Sequence, residues 1–197
     1  MLQIQGGEPF IYSDLIKLIK YFENNKKVQM IYIATNGTVI PNIEVIEELK
    51  NNKKFLVRIS DYDLNDIPKK LKSLLDNNGI NNYYYKFSDG NGMWRDLGGS
   101  DLKPVSDIEK ERNFRNCAFR SCLTLENGEI TYCSRATNSY KIQKFKRNKR
   151  DYFILKSKFN IKKELRYFVE NRVAMEACRY CNGTEKAEVI KPAIQME

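Results

Sequence analysis

The sequence predicts an α/β fold built on a parallel sheet, followed by a small cysteine-rich α+β domain. Three observations carry that expectation. Segments of strand and helix period alternate from the N-terminus to Phe87. The rhythm then stops in a stretch rich in Gly and Asp, Ser88 to Gly99. All five cysteines lie between Cys117 and Cys181. With 197 residues, 42% hydrophobic and 30% charged, the chain can bury a core and has the composition of a globular protein.

The elements follow in order. Leu2 to Gln5 reads as the last turn of a strand that runs into Gly6-Gly7, and on this reading the chain is the tail of a longer protein. Ser13-Asp14 opens a helix with Leu15, Leu18, Ile19 and Phe22 at helical spacing. Val28 to Thr35 is an apolar, β-rich strand. Asn42 caps a helix that sets Ile43, Ile46 and Leu49 on one face. Phe55 to Ser60 is a strand, Leu64 to Asn77 a helix, and Asn82 to Phe87 a further strand. On its strand Arg58 alternates with Val57 and Ile59, and so faces the other side of the sheet. Strands separated by helices of this length imply βαβ units. Beyond Phe87, Cys122 to Cys133 forms a hairpin turning at Glu126-Asn127-Gly128. A basic stretch, Lys141 to Arg150, precedes a helix around Ile161 to Asn171 and the pair Cys178 and Cys181.

Composition removes several chemistries. The chain has no histidine, which excludes Ser-His-Asp and Cys-His catalysis and any imidazole metal ligand. No apolar run is long enough to span a membrane. The N-terminus lacks the layout of a secretion signal. Five cysteines without an export signal point to a reducing cytoplasm, where clustered thiols hold metal more often than they form disulfides. A net charge of +9 permits phosphate contacts, but the preferred reading is a solvated basic surface.

Two groups of residues carry chemistry. Cys178-x-x-Cys181 has the spacing that aims two sulfurs at one site, and a hairpin ending in cysteines supplies the other side. Without histidine the ligands are all thiolate, for zinc or an iron–sulfur cluster. The second group lies at strand ends: Gly6-Gly7-Glu8-Pro9, then Thr35-Asn36-Gly37, then Ser60-Asp61. Ligands of parallel α/β sheets sit beyond these ends, and paired glycines let one approach the backbone closely.

The order GGEP, TNG, Ser-Asp after successive strands resembles the radical S-adenosylmethionine (radical SAM) enzymes. The cysteine tail resembles their auxiliary-cluster region, called SPASM or twitch. Cys122-(x5)-Gly128-(x4)-Cys133 followed by Cys178-x-x-Cys181 looks like the twitch-type arrangement for one [4Fe–4S] cluster. Met93 to Gly98 is reminiscent of members associated with polysaccharide or cell-surface biosynthesis.

The resemblance implies a partial (β/α) barrel of the radical SAM type over residues 1–100, lacking its first strand and cluster loop. It implies a SPASM/twitch-like domain over residues 101–197. Gly6, Gly7 and Glu8 would hold the methionyl amino group of S-adenosylmethionine (SAM), with Asn36 and Ser60 near its ribose and carboxylate. Cys122, Cys133, Cys178 and Cys181 would ligate the auxiliary cluster, with Cys117 as the alternative ligand or open-site partner. In the family, a reduced SAM-bound cluster cleaves SAM to a 5′-deoxyadenosyl radical that abstracts hydrogen from substrate. The C-x-x-x-C-x-x-C motif holding that cluster is absent here, so no SAM cleavage is expected from this chain alone. The expected partners are a peptide, sugar or small-metabolite substrate, the missing N-terminal segment, and a reductant protein. The rival reading is a basic four-cysteine zinc module that contacts nucleic acid.

Overall fold

A computed structural model describes residues 1–86, 94–98, 103–142, 145–156 and 160–191. Phe87, most of the Gly- and Asp-rich stretch, Met93 and part of the basic run lie outside the described residues. The chain divides into two compact units, Met1–Met93 with Lys191–Glu197, and Trp94–Ile190. Trp94 to Gly98 thus belongs with the second unit rather than the first.

The first unit alternates β1 (Leu2–Ile4), α1 (Leu15–Glu23), β2 (Ile31–Thr35), α2 (Ile43–Lys50), β3 (Phe55–Asp61), α3 (Ile67–Asn77) and β4 (Asn82–Lys86). Its sheet has the order β1-β2-β3-β4, with every pair parallel and β1 at an edge. Ile31, Ile33, Phe55, Val57 and Ile59 are buried, and they alternate with less buried residues. They form one core with Leu15 and Ile19 of α1, Val45, Ile46 and Leu49 of α2, and Leu71 and Leu75 of α3. Since one cluster holds residues from all three helices, the helices cover the same face of the sheet. Tyr32, Ala34, Leu56 and Arg58 stand on the opposite face.

Local chemistry sets the element ends. The Asn42 side chain accepts from Val45 N at 2.9 Å, which caps α2 as expected. Strand β2 begins three residues later than the apolar run suggested, because Val28 still belongs to a turn that bonds back to Asn25 O. Helix α3 likewise starts at Ile67, since Asp63 takes a left-handed φ of 61° and Pro68 fixes the first helical turn. Lys54 closes the other end of α1, with Nζ donating to the carbonyls of Phe22 (3.3 Å), Glu23 (2.6 Å) and Asn25 (3.1 Å). Lys54→Met is expected to cost about 1 kcal/mol and to speed amide exchange in the last turn of α1. Unchanged exchange there would refute this capping role.

The second unit contains β5 (Trp94–Arg95), α4 (Asp107–Arg115), β6 (Thr124–Glu126), β7 (Glu129–Thr131), α5 (Ser134–Ile142), β8 (Phe153–Ile154), α6 (Ile161–Glu170) and β9 (Val189–Ile190). The hairpin turns where expected, with Asn127 and Gly128 both at positive φ. Strand β8 joins it to form a three-stranded antiparallel sheet. A second ladder pairs β5 with β9 antiparallel. The core gathers Tyr132, Ala136, Phe145, Met175 and Ala177. Tyr132 stacks on Phe168 at 4.4 Å between centroids, and Phe145 on Tyr180 at 4.7 Å. Among the described residues no helix is long and apolar enough to cross a membrane.

Arg147, in the basic stretch, is committed within this unit. Its guanidinium forms a two-point ion pair with Glu129 and lies over the Tyr140 and Tyr152 rings, at 4.0 and 4.1 Å from their centroids. That cation is a packing element.

Asp151 is buried and accepts the backbone N–H groups of Asn148 (2.9 Å) and Glu176 (3.2 Å) on one oxygen. Burial pushes its carboxyl above the ordinary 3.8, with smaller opposing effects from those amides. The native state therefore holds this proton more tightly than the unfolded chain. The resulting stability is full below the unfolded value and is lost as pH rises through the folded one. Asp151→Asn keeps an acceptor oxygen and removes the charge, so it should match or exceed the wild type at pH 7, with the difference shrinking toward pH 4. Asp151→Ala should lose about 2 kcal/mol by leaving two buried amides unpaired. Urea unfolding at both pH values checks this, and a growing Asn advantage at low pH would refute it.

Candidate functional site

In the second unit a solvent-open pocket is lined by Cys117, Cys133, Cys178 and Cys181. Cys122 is exposed and is not among its lining residues. The fourth thiol at this pocket is therefore Cys117, the residue that the sequence offered only as an alternative.

Hydrogen bonds explain the exchange. Cys117 follows α4, whose end is stitched to the segment just after Cys181. Asn113 Nδ2 donates to Cys181 O (2.8 Å), Ala118 N to Thr184 Oγ1 (2.9 Å), and Asn116 Nδ2 to Glu185 Oε2 (2.8 Å). These bonds bring Cys117 beside the C-x-x-C pair. Cys133 is drawn in from the hairpin side, where Arg135 donates to Tyr180 O (2.8 Å) and Gly98 O (2.9 Å). Cys178 lies in the middle of the 3-10 turn Glu176–Tyr180, which packs on α4 and α5, and Cys181 follows its last residue.

Two of the four sulfurs accept a backbone amide. Phe119 N donates to Cys117 Sγ at 3.4 Å, and Gly183 N donates to Cys181 Sγ at 3.3 Å. At Cys133 and Cys178 the backbone of Ala136 and Arg135, and of Met175, partly offsets the upward push of burial. Gly183 has φ +74°, which any side chain would strain, and an added Cβ would lie 2.8 Å from Asn113 Oδ1. Burial raises the Cys133 thiol and pushes Cys178 up to about 12, with the neighbouring thiols adding to the shift. Around the sulfurs the wall is apolar, including Phe114, Tyr132 and Met175. Among the described residues no group of three or more Cys, Asp or Glu side chains is drawn together as ligands of a metal ion. The thiols instead stand around a shared pocket.

The donor set fits an iron–sulfur cluster. It offers four sulfurs, two of them accepting a backbone amide, and an apolar wall.

The first unit places Gly6, Gly7, Glu8, Asn36 and Ser60 at the C-terminal ends of β1, β2 and β3. Glu8 is buried, and its carboxylate is occupied from inside the protein. It accepts from Phe10 N (3.1 Å), from Thr35 Oγ1 (2.9 and 2.8 Å to its two oxygens) and from Asn36 N (3.1 Å). Thr35, which the sequence placed in the Thr35-Asn36-Gly37 strand end without a role of its own, ties the GGEP turn to the end of β2. Asn36 accepts from Thr38 N (2.9 Å) and Thr38 Oγ1 (2.6 Å), the side-chain turn common for Asn. Ser60 Oγ donates to Tyr85 OH at 2.6 Å.

Gly6 and Gly7 remain exposed at positive φ, with nothing within 4 Å of either Cβ position. On the face away from the helices, Arg58 lies in register between Ala34 and Tyr83, and its Nε is buried without a hydrogen-bond partner among the described residues. Comparison with family models and with curated proteins finds no match for this chain.

Proposed function

We propose that this chain is part of a radical SAM-type enzyme, in which the first unit binds SAM at the strand ends and the second carries one auxiliary [4Fe–4S] cluster. The chain alone is inactive in this reading, because the motif for the SAM-cleaving cluster is absent from its sequence. The observation that carries it is the pocket lined by four cysteines in a protein without histidine. A single tetrahedral ion needs four sulfurs at about 2.3 Å from one centre. A cubane holds its thiolates farther apart, one per iron, which suits thiols standing around a pocket.

The uniform parallel sheet, with its helices on one face, supports a wall of a (β/α) barrel. The uncovered face would then be the barrel interior, and Arg58 would supply a cation there for an anionic ligand group. In the SAM site Glu8 acts by position: it clamps the turn so that the open Gly6-Gly7 backbone can meet the ligand. When bound, the auxiliary cluster supplies a one-electron couple shielded by the pocket wall. Cytoplasmic location and a reductant partner belong to this reading.

Metal analysis after anaerobic reconstitution tests it. The expected result is about four irons and four sulfides per chain, and Cys178→Ala should abolish both the iron and the brown colour. One tightly held zinc without sulfide would overturn the cluster and favour the zinc module, with nucleic-acid binding as the next assay.

A further inference from the structure

We infer that the protein closes every coordination position of the proposed cluster, with Cys117 as the fourth ligand, so that the group relays electrons or braces the fold and does not anchor substrate. This rests on the cluster reading above. A [4Fe–4S] cluster needs one external ligand per iron. A substrate can bind it directly only where the protein leaves one iron open.

Cys117, Cys133, Cys178 and Cys181 all line the pocket, and the sulfurs of Cys117 and Cys181 each accept a backbone amide. In Cys117-Ala118-Phe119 and Cys181-Asn182-Gly183 the amide comes from the second residue after the cysteine. Cys117 therefore has the local geometry of Cys181. It is also locked in place by the stitches from α4 to the Cys181–Glu185 segment. Cys122 is exposed and is not at the pocket. Such amides favour the charged sulfur and tune the potential of a cluster.

The test uses the full chain, reconstituted anaerobically, as wild type, Cys117→Ala and Cys122→Ala. Iron and sulfide are counted, and EPR spectra of the reduced protein are recorded with and without excess imidazole. Wild type and Cys122→Ala should carry equal iron and show spectra that imidazole leaves unchanged. Cys117→Ala should lose iron or acquire an imidazole-sensitive spectrum. If Cys122→Ala loses the cluster while Cys117→Ala keeps it, the ligand assignment is overturned and the cluster reading stands. An imidazole-sensitive wild type overturns the closed coordination by itself, even where Cys117→Ala does not fold. A wild type without iron and sulfide removes both readings together.

Discussion

Glu8→Ala should destabilise the first unit by about 4 kcal/mol, the sum of leaving three donors without their acceptor in a buried place. Phe10 N, Thr35 Oγ1 and Asn36 N all end on this carboxylate, which is only 7% exposed. A loss of that size consumes much of a typical domain's stability. Glu8→Gln keeps one acceptor oxygen but turns an amide toward donors, so an intermediate loss of about 2 kcal/mol is expected. Urea unfolding followed by far-UV circular dichroism measures both. Trp94 fluorescence reports separately on the second unit, which should not change. A loss below about 1 kcal/mol in Glu8→Ala would mean that the carboxylate is free to serve a ligand directly.

Gly37→Ala should cost about 3 kcal/mol, from a left-handed backbone and from overpacking together. At φ +73° the new Cβ would lie 2.9 Å from Pro68 Cβ, 3.0 Å from Ile59 Cγ2 and 3.1 Å from Pro68 Cα. Two of those contacts are with a proline at the start of α3, which cannot swing aside. Gly7→Ala is the control. Its φ is +51°, but nothing lies within 4 Å of the Cβ, so the cost should be about 1 kcal/mol of backbone strain. If the Gly6-Gly7 backbone meets SAM, Gly7→Ala should weaken SAM binding well beyond its effect on folding. Equal destabilisation at the two glycines would show that crowding by Pro68 is relieved at no cost.

The parallel sheet was legible because its helices and strands are amphipathic at their own periods. Ile31, Ile33, Phe55, Val57 and Ile59 alternate along the chain as they do in the core. The second unit was less legible. Helix α4 buries no residue, so no apolar stripe marks it. Its one signal is the capping pair Ser106 and Glu109, where Ser106 Oγ accepts from Glu109 N.

That the late cysteines gather was legible, but not which four line the pocket. Spacing favoured Cys122, whereas the side chains of Asn113 and Asn116 join α4 to residues far along the chain and bring Cys117 in. Tertiary hydrogen bonds of that kind leave no local pattern. Glu8 was read correctly as a residue of the strand-end rim, but its role depends on Thr35, which belongs to the next strand.

The ladder of β5 with β9 joins the first and last residues of the second unit, Trp94 to Ile190 and Arg95 to Val189. During synthesis, each strand pair of the first unit can form as soon as one intervening helix has emerged. The clasp of the second unit must wait until Val189 and Ile190 have been made. Cys117 and Cys133 are exposed on the nascent polypeptide long before Cys178 and Cys181 exist to meet them. The thiol pocket therefore cannot assemble before Cys178 and Cys181 have been made, well after Cys117 and Cys133.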